Sequence, residues 1–230
     1  STDSLPKTAG NYYLTDNVSI SNTWQPANGT VLCLNGKTIA CTGDTKTAVF
    51  VGTGVSFTLT DGGTTGKLTH AEGIGGHALY NGGRFTMYDG SISDNNGRST
   101  GGGVDNAGAF IMYGGSILNN NSNGFFGGGV FNGNQSTFVM YDGTISGNKG
   151  YDGAGVYNGG SMTVYGNANI TGNKKKSDES ASNVYLADAK TITIDGSFGG
   201  KIGVKVNELP SAGSSVAVAT GAAADKDYSA

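Results

Sequence analysis

Apolar residues in this chain recur in short alternating groups, and the groups themselves repeat along the sequence. Four similar stretches follow one another between residues 75 and 173, and one of them, GGGVFNGNQSTFVMYDGTISGN, covers Gly127–Asn148. The first apolar residues of successive repeats are separated by 25, 26, 26 and 28 positions: Leu79, Val104, Val130, Val156 and Val184. A period of this length is typical of solenoids, in which each unit covers the apolar face of its neighbour.

Each repeat contains three apolar groups: V-x-N, then F-x-M-Y, then a lone isoleucine. The spacing of two within a group is the period of a β-strand, and no group is long enough for a helix. Three short strands per repeat predict an all-β fold. We expect a parallel β-helix of about seven coils of ~25 residues each, from about residue 12 to residue 207, with an N-terminal cap.

Equivalent residues of successive coils should stack along the axis of such a fold, because neighbouring strands lie ~4.8 Å apart. Val, Phe, Met and Ile are expected inside. Gly and Asn are expected at corners, since both tolerate left-handed backbone angles, and stacked Asn amides can bond to one another. The spacing predicts two structural ladders, Asn81/Asn106/Asn132/Asn158 and Asn95/Asn120/Asn148/Asn173.

Weaker copies extend the pattern in both directions. The alignment places Leu32/Leu34 on Phe57/Leu59 upstream and Ile192/Ile194 on Met162/Val164 downstream. We therefore divide the chain into residues 1–24 (cap and first strands), 25–207 (β-helix coils) and 208–230 (final strand and C-terminal boundary segment). Trp24 is assigned to the cap, because the end of an open solenoid has to be covered.

The composition excludes several classes of protein but does not identify the function. The 42 glycines of the 230 residues show no Gly-X-Y period, which excludes collagen. With a net charge of −3 and no long apolar run, we expect no nucleic-acid partner and no direct membrane insertion. The opening STDSLPKTAG lacks the features of a signal peptide, so we expect an excised segment of a larger polypeptide.

The pattern GGGV-x-N … F-x-MY-x-G-x-I-x-x-N resembles the right-handed parallel β-helix repeats of large bacterial surface proteins, especially those of anaerobic Gram-positive gut bacteria. It is similar, more loosely, to the glycine-rich repeats of chlamydial polymorphic outer-membrane proteins. The resemblance covers about Asn11 to Asn207. It implies an extracellular protein, either an adhesin or a long wall-attached protein. The partner that we expect is a glycan or a host or bacterial surface protein. The same fold also hosts pectate lyases and polygalacturonases.

The candidate binding residues are four tyrosines that directly follow the inward Met or Val of each coil: Tyr88, Tyr113, Tyr141 and Tyr165. Alternation places them outside, in one file. Exposed aromatic rows can bind sugar rings or proteins, whereas the alternative is cross-strand stacking that only stabilises the sheet. A second, less regular file is formed by Tyr80, Asp105, Phe131 and Tyr157.

Catalysis would depend on Asp89 and Asp142, which occupy equivalent corners two coils apart. Their expected separation of ~9.6 Å is just beyond the range of inverting glycosidase pairs. Both stand in YDG, where Asp-Gly is ordinary turn chemistry. His70 and His77 are assigned to a glycine-rich connection, and we expect no metal and no cofactor. Cys33 and Cys41 fit free thiols better than a disulfide, which nevertheless stays open.

These features favour a non-catalytic surface module for adhesion or ligand binding, with a glycan as the favoured ligand, or a rigid spacer in a larger cell-surface protein. The alternative is a carbohydrate-active β-helix enzyme, either a polysaccharide lyase or a glycoside hydrolase. A module that continues the sheet end to end is a third hypothesis.

Overall fold

The computed structural model describes residues 5–63, 65–206 and 217–221. These residues form parallel β-strands stacked as a solenoid of about seven coils with about 26 residues each. The prediction of an all-β parallel solenoid is therefore confirmed. The described residues include no helix long and apolar enough to cross a membrane. Of the predicted C-terminal segment 208–230, all but residues 217–221 lies outside the described residues.

The strands are short. The first thirteen are β1 (Asn11–Tyr13), β2 (Val18–Ile20), β3 (Thr30–Cys33), β4 (Thr38–Cys41), β5 (Val49–Val51), β6 (Ser56–Thr60), β7 (Lys67–His70), β8 (Leu79–Asn81), β9 (Arg84–Met87), β10 (Ser91–Ser93), β11 (Val104–Asn106), β12 (Ala109–Met112) and β13 (Ser116–Leu118). The others are β14 (Val130–Asn132), β15 (Thr137–Met140), β16 (Thr144–Ser146), β17 (Lys149–Gly150), β18 (Val156–Asn158), β19 (Ser161–Gly166), β20 (Asn169–Ile170), β21 (Lys174–Lys175), β22 (Val184–Leu186), β23 (Ile192–Phe198), β24 (Lys201–Ile202), β25 (Val204–Val206) and β26 (Ala219–Thr220).

Three parallel sheets form the walls of the solenoid, and a regular coil contributes one strand to each. Sheet A has nine strands in the order β1-β3-β6-β9-β12-β15-β19-β23-β26. Sheet B has the order β2-β4-β7-β10-β13-β16-β20-β24, and sheet C the order β25-β22-β18-β14-β11-β8-β5. A further pair, β17-β21, lies at the corner between sheets B and C. Every strand thus pairs with its counterpart one coil away, as the sequence period predicts.

The interior is a set of like-on-like stacks. Leu79, Val104, Val130, Val156 and Val184 are in register in sheet C and fully buried, as predicted. In sheet A the rings of Phe57, Phe85, Phe110 and Phe138 stack at centroid distances of 5.8, 5.0 and 4.9 Å. Trp24 closes this stack, because its ring meets Phe57 edge-on at 5.3 Å. The core is therefore continuous along the axis.

Both predicted asparagine ladders are present, and all eight side chains are buried. In the first ladder each Nδ2 donates to the next Oδ1 at 2.7, 2.8 and 2.7 Å. In the second ladder the corresponding distances are 2.8, 3.0 and 2.8 Å. Leu186 takes the next position after Asn158, and Asn158 Nδ2 has no hydrogen-bond partner among the described residues. The first ladder therefore ends on an unsatisfied amide.

One predicted register is wrong. Leu32 pairs with Leu59, and Thr30 with Phe57, so the upstream coil is shifted by two residues from the predicted alignment. A shift of two keeps the same residues inside, so the alternation of apolar positions does not detect it. Thr30 is too small to replace a phenylalanine, and Trp24 supplies the missing ring at this end of the stack.

We expect that Asn148→Ala lowers the free energy of unfolding by about 1–3 kcal/mol, because it leaves buried partners of the amide unpaired. Asn148 accepts from Asn120 and donates to Asn173. Asn22, which is exposed, provides the control, and Asn22→Ala should change stability by less than about 0.5 kcal/mol. Urea denaturation followed by circular dichroism measures both, and equal stabilities of the two variants would contradict a stabilising ladder.

Phe138→Ala should destabilise by about 3–5 kcal/mol, because it opens a cavity in the ring stack. Val139 is the next residue on the same strand but faces outward and is only half-buried. Val139→Ser should therefore cost much less, below about 1 kcal/mol. The same denaturation assay ranks the two variants. The reverse ranking would mean that the register of β15 is displaced by one residue.

Candidate functional site

The outer face of sheet A is regular but only partly exposed, since the outward-facing side chains of Thr86 and Ile111 are each 7% exposed. Alternation along the strands directs the middle residue of each strand away from the core. All of these residues are β-branched in the central strands, which gives a flat wall: Thr58, Thr86, Ile111, Val139, Thr163 and Thr193. Branched side chains of similar size leave little relief on a pleated surface. Any ligand on this face therefore meets a plane.

The predicted tyrosine file, made of Tyr88, Tyr113, Tyr141 and Tyr165, borders this wall. Successive ring centroids are 4.8, 4.8 and 4.5 Å apart, and the ring planes differ by only 8°, 9° and 13°. Tyr88 is 52% exposed and Tyr113 is 39% exposed, whereas the other two rings are half-buried. The structure thus places all four predicted binding residues in one continuous row.

Because the tyrosine rings stack on one another, only part of each ring surface is accessible to a ligand. Carbon atoms in contact are ~3.5–4.0 Å apart, so near-parallel rings with centroids 4.8 Å apart must be slipped over one another. Each ring then covers much of its neighbour's face and exposes a strip of its own face together with its edge. The file presents a column of ring edges and phenol groups rather than four separate flat platforms.

Asp195 lies near the phenol at the far end of the file. Burial, together with the neighbouring Asp195 carboxylate, raises the pKa of the Tyr165 phenol. Tyr88, at the other end, has the most exposed ring of the four. A ligand that stacks on an aromatic face should engage the Tyr88 end first.

The second predicted file lies on sheet C and is longer than expected. Phe50 stacks on Tyr80 at 5.1 Å, Phe131 on Tyr157 at 5.1 Å, and Tyr157 on Tyr185 at 5.4 Å. Asp105 replaces a ring between Tyr80 and Phe131. Burial raises the pKa of the Asp105 carboxyl, although His77 and the Thr100 hydroxyl oppose the shift. This carboxylate divides the file into two parts.

The two candidate catalytic carboxylates are engaged as turn residues. Asp89 Oδ1 accepts from the Gly90 backbone N–H at 2.7 Å, and Asp142 Oδ1 accepts from the Gly143 N–H at 2.6 Å. Both glycines have positive φ, of 87° and 99°, which an L-residue rarely adopts. Both aspartates therefore stabilise exposed turns at the corners of the solenoid.

His70 has a position that sequence reasoning missed. It ends β7 and is buried at the start of the second ladder, rather than lying in a glycine-rich connection as predicted. His77 does lie in that connection. The available signal was the period, since His70 precedes Asn95 by 25 residues, as Asn95 precedes Asn120.

Both ring nitrogens of His70 face oxygen acceptors. Nδ1 is 2.8 Å from Asn95 Oδ1, and Nε2 is 2.9 Å from the Lys46 carbonyl oxygen. The Asn95 oxygen is the acceptor because its Nδ2 donates elsewhere. The imidazole can donate from both nitrogens only when it is protonated. Burial alone lowers the pKa of His70, but contacts with Cys41, Asn95 and the Lys46 carbonyl outweigh it and raise the pKa.

The two cysteines are free thiols on different walls. Cys33 is half-buried on β3, where its sulfur accepts from the Gly62 N–H at 3.2 Å, and Cys41 is buried on β4 beside His70. Across the described ranges, no group of three or more His, Cys, Asp or Glu side chains is arranged to hold a metal ion.

Comparisons with protein-family models, with curated proteins and with solved structures give no match to this chain.

The His70 geometry predicts that stability depends on pH. A histidine whose pKa is raised by folding stabilises the protein fully below its unfolded pKa of about 6.5, and this contribution is lost as pH rises through the folded pKa. The free energy of unfolding should therefore fall as pH rises above about 6.5, by about 1.4 kcal/mol for each unit by which the folded pKa exceeds the unfolded pKa.

The matched control is His70→Asn, which continues the ladder with an amide that does not titrate. Urea denaturation of both proteins over this pH range gives the difference in stability, from which shared titrations cancel. A difference that is the same at every pH would contradict a protonated His70 in the folded protein.

Proposed function

We propose that this chain is a non-catalytic surface module that binds an extended ligand along the outer face of sheet A. The single observation that carries the proposal is the continuous tyrosine file beside a flat wall of β-branched residues. The favoured ligand is a glycan, and a protein of a host or bacterial surface is the other candidate. In this proposal the module belongs to an extracellular protein attached to a bacterial surface or secreted from the cell.

The chemistry of the file supports a sugar chain as ligand. Pyranose rings present C–H groups that pack on aromatic carbon and hydroxyls that bond to phenols, and the slipped rings expose both kinds of contact. The contacts recur at the strand spacing. Each is expected to be weak, because a slipped ring exposes only a strip of its face. Affinity in the micromolar range or weaker is expected for one module, that is, about −8 kcal/mol at most. Several modules on one polypeptide would then act together through avidity.

A rigid spacer is the second candidate function. The continuous core and two asparagine ladders make a stiff rod, and about seven coils at ~4.8 Å each extend it by roughly 35 Å. In that role the tyrosine rings would contribute only cross-strand stacking, worth about 0.2–1 kcal/mol per pair. The spacer needs no ligand, so the two functions differ in one measurable property.

The test is a glycan array followed by calorimetry, with Tyr113→Ser and Tyr141→Ser combined in one protein. These two rings lie in the centre of the file, and their removal should abolish binding while the far-ultraviolet circular dichroism stays unchanged. The matched control is Tyr157→Ser with Tyr185→Ser, which removes an equivalent stacked pair from sheet C and should retain binding. Unaltered binding in the Tyr113/Tyr141 variant would make the file a stabilising stack and leave the spacer as the function.

The enzymatic alternative has a test of its own. If Asp142 or Asp89 is catalytic, Asp142→Asn should abolish turnover of a polysaccharide that the tyrosine variants still process. The present proposal expects no turnover by the unmodified protein. It also expects Asp142→Asn to affect only the turn that Asp142 forms with Gly143.

A further inference from the structure

A polar cleft opens at the corner between sheets C and A, outside the tyrosine file. Its volume is about 280 Å³, and its lining includes Asn134, Gln135, Thr137, Ser161 and Lys190. Pockets for drug-sized ligands begin at about 300 Å³, so this cleft has room for one monosaccharide unit rather than for a longer chain.

The cleft exists because one coil breaks the repeat. Four positions separate the ladder Asn from the inward aromatic or Met in the pairs Asn81/Phe85, Asn106/Phe110 and Asn158/Met162, but six separate Asn132 from Phe138. The extra residues fold outward, with Gln135 at a φ of 65° and Asn134 and Gln135 both exposed.

The projecting loop is held in place by its own hydrogen bonds. The Ser136 hydroxyl donates to the Gly133 carbonyl at 2.6 Å and also bonds to Asn132 Oδ1 at 2.7 Å. On the next coil, a Cβ at Gly160 would collide with the Ser136 carbonyl, so glycine lets the loop pack closely. The loop is therefore a fixed wall of the cleft.

The lining has the chemistry of a site for one anion surrounded by hydroxyls. Two amides and two hydroxyls supply both donors and acceptors. Among the described residues that line the cleft, Lys190 carries the only charge and none is a carboxylate. Within the described ranges, none of these five side chains makes a hydrogen bond or ion pair with the protein; they are Asn134, Gln135, Thr137, Ser161 and Lys190. A lysine ammonium without a partner favours an anionic group, which forms stronger hydrogen bonds than a neutral one.

We infer that this cleft binds a single carboxylate-bearing sugar residue, with its carboxylate at Lys190 and its hydroxyls at the amides and hydroxyls of the lining. The inference deepens the proposed function, on which it rests, by naming an acidic sugar within the glycan. Thr137 begins β15 and Tyr141 directly follows its last residue, so these two outward-facing side chains lie four residues or about 13 Å apart. The remainder of a bound oligosaccharide can therefore cross the flat wall from the cleft to the tyrosine file.

The test uses two probes that differ only at C6, which is a carboxylate in methyl β-D-glucuronide and a hydroxymethyl group in methyl β-D-glucoside. Each is titrated into the isotope-labelled protein and followed by amide chemical shifts. The glucuronide should shift the amides of the lining residues and bind roughly tenfold more tightly than the glucoside, as one charge-assisted hydrogen bond provides. Equal affinities for the two sugars would overturn the inference. Inorganic phosphate that binds the cleft as tightly as the glucuronide would also overturn it, because the site would then select a simple anion.

Variants identify the charge that acts. Lys190→Gln should remove the difference between the two sugars and Lys190→Arg should keep it, while Lys201→Gln, an exposed lysine outside the cleft, should have no effect. A sugar preference that survives Lys190→Gln would contradict the assignment. The Tyr113/Tyr141 variant should still bind the glucuronide in the cleft. If the Tyr113/Tyr141 variant loses binding on the array but Lys190 gives no preference for the glucuronide over the glucoside, only this inference is refuted. If the glucuronide binds in the cleft but the Tyr113/Tyr141 variant binds the array unchanged, only the role of the file is refuted.

Discussion

The whole structure depends on the in-register stacking of like residues in parallel strands one coil apart. A buried amide is costly unless it is paired, and here each amide is paired by the same residue of the neighbouring coil. The phenylalanine rings of the core likewise stack face to face on the equivalent rings of neighbouring coils. Because each residue packs against its equivalent, a sequence that repeats every 25 to 28 residues is the direct consequence of this geometry. Local propensity contributes little, since the strands are only two to seven residues long.

Each stack of equivalent residues ends where a different residue occupies the next position along the axis. The second ladder begins on the buried imidazole of His70 and finishes on Asn183, which accepts from Asn173 at 3.2 Å. Trp24 closes the phenylalanine stack and is itself anchored, since its Nε1 donates to the Pro6 carbonyl at 2.9 Å. Among the described residues the first ladder has no such terminal partner, because Leu186 follows Asn158. The irregular residues of the chain therefore terminate the regular stacks.

The fold was predictable because the period and the alternation of two are properties of the sequence itself. Both ladders and the tyrosine file follow from counting positions. The features that could not be predicted by counting positions depend on side-chain volumes and side-chain torsion angles. The two-residue shift at Leu32 preserves the alternation and depends on which side chains fill the space beside Trp24. The slip of the tyrosine rings and the donor geometry of His70 depend on side-chain angles. The cleft beside Gln135 depends on how two extra residues fold back on Gly160.

The same constraint limits how a solenoid of this kind can recognise a ligand. A face made of identical residues at one spacing offers identical subsites, so a bound chain can slide along it by one coil with little change in energy. Specificity then requires a position where the repeat is broken. Asp105 within the aromatic row of sheet C is one such break, and the two-residue loop opposite Lys190 beside sheet A is another. Of these two, only the second lies beside sheet A, about 13 Å along β15 from the tyrosine file. It combines an ammonium with amides and hydroxyls that make no hydrogen bond within the described ranges. In the proposed function, the regular face would supply contact area and the interruption would fix the register of the bound glycan, so the two features would act together.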